Sequence, residues 1–329
     1  MSADVFLAKS HSWLYEKLTE QAVLDEGDPR LVETRRSADA IIYLDPPWPD
    51  ADAPDRLRSF GPRDLLRTFV YSQRDVPFAW APGMYTNFPS SRANAGVAGS
   101  FYVTHHHREP GGLAEDLEAA RGRPPDLLWS FMGTLANDQV RQRLREIDDP
   151  DSFVKDTQQF SDEVRWGWGS THLAEGRAAF SEYAASLGRS AFVLCPRGIG
   201  PGSIRLFEVL QVGRCPVVIS DDWLPPPFVD WEACSIRVPE ARIHDLPKIL
   251  REREPQAGSL GRAARLAWEQ FFSPERQLQT LLRGCLRLDG STSRRLELMA
   301  SSLVDDKSLR RVMRKGKQRL QRLNVHATL

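Results

Sequence analysis

The sequence predicts an α/β protein with parallel sheets, divided into two domains. Between Ala191 and Asp222 it reads as strand, glycine loop, helix, glycine stop and strand, which is typical of a βαβ unit. In the first 104 residues, short apolar runs alternate with helix-like stretches, which indicates another small parallel sheet. Between these regions, residues 109–125 are polar and rich in Gly and Pro, as expected of a linker between two domains.

Composition excludes several classes of protein. The 329 residues carry 44 basic and 44 acidic side chains, so the net charge favours neither nucleic acid nor an acidic partner. No run approaches the roughly 18 apolar residues of a membrane span, and the N-terminus lacks a signal-peptide pattern. We therefore expect a soluble, cytoplasmic protein. Its four cysteines form no CxxC pair, which favours buried free thiols over a disulfide or a zinc site.

The first domain is predicted to hold four strands. Their expected ranges are Val5–Ala8, Ala38–Leu44, Leu65–Tyr71 and Ser100–Thr104, and a helix is expected to follow the first strand to about Leu24. Ligands of parallel sheets bind beyond the carboxyl ends of the strands. The polar residues that follow these strands are therefore expected to face a cleft.

Several such residues are candidates for an acid–base role, and each has a structural alternative. Asp45 precedes two prolines and fits a turn, whereas Asp75 follows the best-formed strand but could simply pair with Arg74. The His105–His107 run lacks metal-ligand spacing and fits a solvated loop, and His11 qualifies only if the first strand forms.

The second domain is predicted to open with a strand over Leu127–Met132, followed by Gly133. A helix is expected over Asn137–Ile147, and Arg141 on it could reach a phosphate or lie solvated. The βαβ unit follows, and its central helix, Ile204–Val212, is expected to end at Gly213. The other strands and helices predicted for this domain are Ala191–Cys195, Cys215–Ser220, Ser235–Val238, Ile243–Glu252, Leu260–Phe271 and Pro274–Leu286.

The loop before the central helix has the features of an anion site. Unpaired N–H groups at a helix start attract negative charge, and a glycine-rich approach lets a ligand come close to the backbone. Two arginines could reinforce such a site. The residues of this prediction are Arg197, Gly198, Gly200, Gly202, the N-cap Ser203, and Arg205.

Arg205 and Glu208 share one face of the central helix, at the end nearest the glycine loop. One interpretation is an intrahelical ion pair at a half-exposed edge. The other is that Arg205 binds an anion while Glu208 accepts hydrogen bonds from ribose hydroxyls. Spacing alone leaves both interpretations open.

Two further features remain ambiguous. Asp221 and Asp222 resemble a pair of metal ligands, but a turn before three prolines explains them better. Residues 305–329 contain eight basic side chains against two Asp, with apolar residues at helical spacing. This basic tail fits either docking on an anionic membrane surface or, slightly better, packing back on the first domain.

The second half of the chain resembles the exostosin family of glycosyltransferases most strongly between about Ser190 and Pro239. The resemblance is fainter upstream, where Leu128–Gly133 and Arg141 fit the family, and loose over the first 120 residues. The residues that carry it are Phe192-Val-Leu-Cys-Pro-Arg-Gly198, Gly200, Ser203, Arg205-Leu-Phe-Glu208, Gly213, Pro216-Val-Val-Ile-Ser220, Pro227-Phe228, Trp231 and Val238.

This resemblance implies an inverting, nucleotide-sugar-dependent transferase of the GT-B type, here a soluble, bacterial-type member. It implies two Rossmann-like domains, which we expect at residues 1–124 on the acceptor side and 125–289 on the donor side, followed by the tail at 290–329. A UDP-sugar is the expected donor. A glycan or lipid-linked glycan of a surface polysaccharide is the expected acceptor.

The predicted donor site comprises Gly133, Arg141, Arg197, Gly198, Gly200, Gly202, Ser203, Arg205 and Glu208. Arginines and a helix start can stabilise the departing diphosphate, so neither a metal nor another cofactor is expected. Asp75 is the expected base, and Asp45, His11 and the histidine run are its alternatives. The alternatives to a transferase are a nucleotide-sugar epimerase on the same architecture and a catalytically silent donor-binding protein.

Overall fold

The computed structural model describes residues 3–9, 12–45, 62–75, 81–103, 113–158 and 174–304. Its strands form two parallel sheets, one from each half of the chain. The first contains β1 (Asp4–Lys9), β2 (Arg30–Leu31), β3 (Ala40–Leu44), β4 (Thr68–Ser72), β5 (Gly83–Tyr85) and β6 (Val97–Gly99). The second contains β7 (Leu127–Gly133), β8 (Ser152–Asp156), β9 (Ser190–Pro196), β10 (Cys215–Ile219) and β11 (Ile236–Arg237).

Helices cover and connect the two sheets. They are α1 (Ser12–Glu20), α2 (Pro62–Leu66), α3 (Leu113–Ala120), α4 (Gln139–Gln142), α5 (Ala174–Arg189), α6 (Ile204–Val212), α7 (Trp231–Cys234), α8 (Leu246–Arg253), α9 (Ala257–Ala267), α10 (Pro274–Leu286) and α11 (Thr292–Val304). Shorter 3₁₀ segments are Arg35–Ser37, Ser90–Arg92, Leu135–Asn137, Arg143–Glu146, Glu240–Asp245 and Glu254–Gln256, and a π-helical turn spans Trp268–Phe272.

The strand order explains why the apolar runs of the sequence are continuous. The first sheet is ordered β2-β1-β3-β4-β5-β6 and the second β11-β10-β9-β7-β8, with all described pairs parallel. Central strands such as β3 and β9 are buried at every position, because helices cover both faces of a parallel sheet. Two Rossmann-like sheets facing one cleft are the GT-B arrangement, so the predicted fold class is confirmed.

The chain returns to the first domain after the second sheet is complete. Helix α10 packs against α1 and strands β3 to β5 of the first sheet. Beyond it, Arg295 of α11 is buried and donates to the carbonyl oxygens of Thr68 (2.6 Å) and Leu66 (2.8 Å). The predicted boundaries at 124 and 289 stay predictions, although the first sheet ends at Gly99 and the second begins at Leu127.

An aromatic cluster joins the cores of the two domains. Phe272, from the π-helical turn, is 2% exposed and lies with its ring centroid 5.7 Å from that of Phe101 and 5.0 Å from that of Phe207. Phe101 in turn contacts Tyr71 of β4, with ring centroids 5.8 Å apart. One hydrophobic core therefore runs from the first sheet to helix α6 of the second domain.

The predicted strand over Ser100–Thr104 is wrong over its described residues, since none of Ser100–Val103 is a strand. These residues are apolar because they are buried between the domains rather than in a sheet. Side chains satisfy their backbone groups instead: the Tyr71 hydroxyl donates to the Phe101 carbonyl (2.9 Å), and the Val103 N–H donates to the Gln73 Oε1 (3.0 Å).

Other element boundaries also differ from the predictions. The first helix ends at Glu20, and the run predicted as a strand from Leu65 begins as α2, with its strand at Thr68–Ser72. The helix expected over Asn137–Ile147 is broken into two 3₁₀ turns around α4, with the Asp138 side chain capping the N–H of Val140. Each element exists near its expected place, but tertiary contacts set its ends.

Two sequence predictions concern properties of the whole chain. The four cysteines are buried free thiols, as predicted, and burial raises the pKa of Cys195 to about 12. No helix in the described part of the chain is long and apolar enough to cross a membrane. The basic tail at 305–329, His11 and the His105–His107 run lie outside the described residues.

Candidate functional site

A cleft of about 380 Å³ opens between the two domains, at the carboxyl ends of β4, β7 and β9. Arg141, Arg205, Glu208 and Asp75 contribute charged side chains to it. The remaining lining residues are Tyr102, Leu113, Met132, Gly133, Thr134, Asn137, Thr157, Ala179, Phe180, Tyr183, Gly198, Ile199, Gly202, Ser203 and Ile204. Most of the predicted donor-site residues therefore meet in one cavity.

Arg205, in the first turn of α6, is a buried cation within the cleft. It is 7% exposed, its guanidinium carbon lies 4.4 Å from the centre of the Phe131 ring, and its Nη2 donates to the Met132 carbonyl. A Cβ on Gly133 would lie 2.4 Å from that Nη2, so a larger residue at this position would displace the guanidinium. Its buried Nε has no hydrogen-bond partner among the described residues.

Glu208, one turn further along α6, is also 7% exposed and lines the same cleft. Its Oε2 accepts a hydrogen bond from the hydroxyl of Tyr183 on α5. Within the described chain, Glu208 forms no ion pair with Arg205, so the intrahelical pair left open by the spacing is absent. Helix α6 ends as predicted at Gly213, whose φ of 77° is the left-handed conformation that glycine adopts readily.

The glycine loop before α6 packs against the first domain. The Gly202 N–H donates to the Asn87 Oδ1 (2.9 Å), and a Cβ on Gly202 would lie 2.4 Å from the Thr86 carbonyl oxygen. A Cβ on Gly200 would similarly lie 2.4 Å from the Asn87 Oδ1 and 2.7 Å from the Asp75 carbonyl oxygen. These glycines are therefore required for contact between the domains, and one N–H of the predicted anion site is already bonded.

Asn87, which the sequence analysis did not single out, bridges the two domains. It is 2% exposed, and its Nδ2 lies within hydrogen-bond distance of the Arg74 carbonyl (3.0 Å) and the Tyr102 hydroxyl (2.9 Å). Its Oδ1 accepts from Gly202 across the cleft. The Nδ2 also lies 3.1 Å from the hydroxyl of the neighbouring Thr86. The other three partners are distant along the chain, so nothing in the local sequence indicated this role.

Arg141 lines the cleft and also donates hydrogen bonds to the backbone of the loops around it. Its guanidinium donates to the carbonyl oxygens of Arg197 (2.8 Å), Thr134 (3.3 Å) and Pro196 (3.3 Å). Burial, with a further contribution from the Arg205 charge, lowers the pKa of Arg141 to about 10, so the side chain remains a cation at neutral pH. Three of its five N–H groups are engaged, which leaves donors for a ligand.

Sequence comparison places a known domain over this cleft. Residues 102–253 match the Exostosin GT47 domain. The chain carries an exostosin domain. The predicted family resemblance is thereby confirmed, and every residue that lines the cleft except Asp75 lies inside the matched range.

Similar proteins match part of the chain. The Exostosin-1 homolog of Caenorhabditis elegans is 42% identical over 71 residues, which are 21% of this chain and 19% of that protein. A probable glucuronosyltransferase of Oryza sativa subsp. japonica is 38% identical over 76 residues, 22% of this chain and 18% of that protein. The chain thus matches less than a fifth of the length of each relative. The solved structure of Acinetobacter baumannii MurG covers 84% of this chain and 97% of its own, at a TM-score of 0.35 and 11% identity.

Arg197, although predicted as a donor-site residue, does not line the cleft in this structure. Its guanidinium forms ion pairs with Asp138 (2.8 Å) and Glu240 (2.8 Å), neither of which lines the interdomain cleft. These two carboxylates offset its charge. Its contribution to the site is therefore to hold the glycine loop in place, together with the bond from Arg141 to its carbonyl oxygen.

Ser203 occupies the N-cap position of α6, with φ and ψ of −138° and 122°. Its side chain caps no N–H of the helix, in contrast to the prediction from its position. The hydroxyl makes no hydrogen bond within the described chain, and the residue lines the interdomain cleft. The helix start thus keeps donors for a ligand.

Asp75 and Asp45 lie at neighbouring strand ends of the first sheet but differ in their surroundings. Asp75 is exposed and lines the cleft. Asp45, at a φ of 44°, accepts from the Ser72 hydroxyl and the Gln73 N–H, both at 3.2 Å, and lies 3.7 Å from the Arg74 Nε. Arg74 therefore pairs with Asp45, which fixes the turn that carries Asp75.

Asp221 and Asp222 serve the turn after β10. The Asp222 carboxylate accepts from the Ser90 hydroxyl (3.1 Å) and the Ser91 N–H (2.8 Å) of the first domain. Asp221 accepts from the N–H of Glu240 at 3.1 Å. In the described ranges, no three His, Cys, Asp or Glu side chains are grouped as metal ligands.

Proposed function

We propose that this protein is an inverting glycosyltransferase that uses a nucleotide-diphosphate sugar, with a UDP-sugar as the expected donor. The observation that carries the proposal is the pair Arg205 and Glu208, buried side by side in the interdomain cleft without pairing to each other. A cation and an anion held apart in this way suit a ligand with an anionic group next to hydroxyl groups. The exostosin domain match supports the same assignment.

In this proposal the diphosphate binds at the start of α6. Its ligands are the guanidinium of Arg205, the remaining N–H groups of Arg141, the Ser203 hydroxyl and the first-turn N–H groups of the helix. These groups are already in place before the reaction, so they stabilise the charge that develops on the departing nucleoside diphosphate without having to reorganise. The buried Nε of Arg205, which has no partner within the described chain, supports this role.

The acceptor hydroxyl enters from the side of the first domain in this proposal. A base removes its proton, and the oxygen attacks the anomeric carbon on the face opposite the diphosphate, so the C–O bond to the diphosphate breaks as the new one forms. Asp75 is the proposed base, because it is exposed in the cleft and its backbone contacts the glycine loop. A glycan or lipid-linked glycan is the proposed acceptor.

A ligand screen tests the proposal directly. We expect a nucleotide sugar, from a panel of UDP-, GDP-, ADP- and CMP-sugars, to raise the melting temperature by mass action. The stabilising donor is then assayed for transfer with glycan acceptors in EDTA, where activity should persist because the proposed mechanism needs no metal. Isomerisation of the donor alone would indicate an epimerase, and binding without any reaction would indicate a silent donor-binding protein.

A further inference from the structure

Tyr183 contacts both Arg205 and Glu208 in the cleft. It lies on helix α5, and its hydroxyl donates to the Oε2 of Glu208. The guanidinium carbon of Arg205 lies 5.7 Å from the centre of the Tyr183 ring and 4.4 Å from that of Phe131. The Tyr183 and Phe131 rings thus make cation–π contacts with Arg205, while the Tyr183 hydroxyl makes a hydrogen bond to Glu208.

The direction of the phenol–carboxylate bond is fixed by charge. Burial, together with the nearby negative charge of Glu208, raises the pKa of Tyr183 well above its usual value. The phenol therefore stays protonated at neutral pH, and an ionised carboxylate can only accept. Tyr183 is consequently a constant donor to one oxygen of Glu208.

The other oxygen of Glu208 is left for a ligand. Oε1 accepts no hydrogen bond from any residue that the structure describes, although the side chain is 7% exposed and faces the cleft. A largely buried carboxylate is stabilised when its remaining lone pairs accept hydrogen bonds. Two hydroxyl groups on adjacent carbons, as in ribose, supply such donors to one oxygen.

We propose that Tyr183 positions Glu208 for the ribose of the donor and so sets the preference for ribonucleotides over deoxyribonucleotides. By holding Oε2, it turns Oε1 toward the ribose hydroxyls. This inference rests on the proposed nucleotide-sugar function. Tyr183 itself touches neither the reacting atoms nor, in this arrangement, the ribose, so it is a positioning residue.

Isothermal titration calorimetry tests the inference without an acceptor. UDP, GDP and ADP are titrated first, and the tightest binder is compared with its 2′-deoxy and 3′-deoxy forms. We expect wild type to prefer the ribonucleotide at least about tenfold, as a hydrogen bond to a charged group implies. In Tyr183→Phe, which removes one oxygen and keeps the ring against Arg205, that preference should fall at least about threefold.

Two further variants isolate the cause. Tyr85→Phe removes the hydrogen bond from another buried phenol, to the Ala81 carbonyl (2.7 Å), outside the cleft, and should leave the preference unchanged. Glu208→Gln should abolish the preference by itself, and Tyr183→Phe should then add nothing in that background, because residues that act through one another are not additive.

The outcomes separate the two proposals. If no ribonucleoside diphosphate binds wild type, the proposed function fails. If wild type discriminates and Tyr183→Phe discriminates equally, or if Tyr85→Phe weakens discrimination as much, the role of Tyr183 is overturned and the function stands. Should Tyr183→Phe not fold, as judged by circular dichroism, unchanged discrimination in Glu208→Gln would overturn the inference.

Discussion

Arg205 and Glu208 lie three positions apart on one helix, yet each takes a different partner. The guanidinium rests on Phe131 against Gly133, and the carboxylate accepts from Tyr183. An exposed pair at this spacing would contribute only a few tenths of a kcal/mol to helix stability. Here the two groups are buried and separated, and in the proposed function they bind a ligand that carries an anionic group next to hydroxyl groups.

Replacing Glu208 with alanine should weaken nucleotide binding at least about tenfold, because each hydrogen bond to a charged group contributes roughly 1.5–3 kcal/mol. The fold should survive, since the carboxylate forms no ion pair within the described chain. Calorimetric titration with the nucleotide measures the affinity. Glu182→Ala, on the neighbouring helix and paired with Lys155, serves as the control. Normal affinity in Glu208→Ala would make Glu208 a structural residue.

Asp75→Asn preserves size while removing basicity. Transfer should fall by roughly 10²–10⁴-fold, the usual contribution of a positioned base, with donor affinity unchanged. Release of nucleoside diphosphate in the presence of acceptor measures the rate, and Asp126→Asn, an exposed carboxylate paired with Arg189, is the control. Activity within a few-fold of wild type would clear Asp75 and direct attention to His11, Asp45 and the histidine run.

The contact between the domains includes two loops, the turn after β4 from the first domain and the glycine loop before α6 from the second. Asn87 joins the turn after β4, which carries Asp75, to the glycine loop before α6. Gly200 and Gly202 have no positive φ in this structure, so their need for glycine comes from the close approach of the other loop. The glycine pattern that indicates a phosphate cradle in the sequence also forms the seam between the domains.

Asn87→Ala should therefore damage transfer more than donor binding. It leaves the Gly202 N–H and the Arg74 carbonyl without their partner, which should lower the free energy of unfolding by about 1–3 kcal/mol. Looser positioning of Asp75 should lower kcat while the affinity for nucleotide changes little. Urea unfolding and steady-state kinetics measure the two effects. Ser91→Ala, at an exposed side chain on the same side of the interface, is the control. An equal loss of affinity and kcat would contradict the positioning role.

The whole molecule is held together by a core that crosses the domain boundary. Phe272 lies at its centre, between Phe101 of the first domain and Phe207 of the second. Helix α10 then carries the chain back onto the first sheet, so the first domain is completed by a helix from the second half of the sequence. We expect the described domains to unfold cooperatively rather than one at a time.

Phe272→Ala tests this cooperativity. Loss of a large buried ring should lower the free energy of unfolding by about 3–5 kcal/mol and shift a single transition. Leu266→Ala, at a side chain that is 64% exposed, should change stability by less than about 0.5 kcal/mol. Unfolding is followed by both far-ultraviolet circular dichroism and tryptophan fluorescence. Two separate transitions, with only one affected, would indicate independent domain cores.

The sequence by itself determined the elements whose signals are local. Apolar runs of strand length, the helix that ends at Gly213, and the spacing of Arg205 and Glu208 all depend on residues close in the chain. For that reason the two parallel-sheet domains and the exostosin resemblance could be predicted, and most of the predicted donor-site residues do line the cleft. Element ends were less accurate, because contacts from other parts of the chain set them.

Only the tertiary structure decided which groups pair across the fold. Arg197 turned to Asp138 and Glu240, whereas the Arg205 Nε stayed without a partner within the described chain, although the sequence indicated both arginines as diphosphate ligands. Tyr183 and Asn87 meet partners 25 and 115 residues away. Hydrogen bonds and ion pairs form only between groups a few ångströms apart in space. The separation of two residues along the chain does not determine that distance.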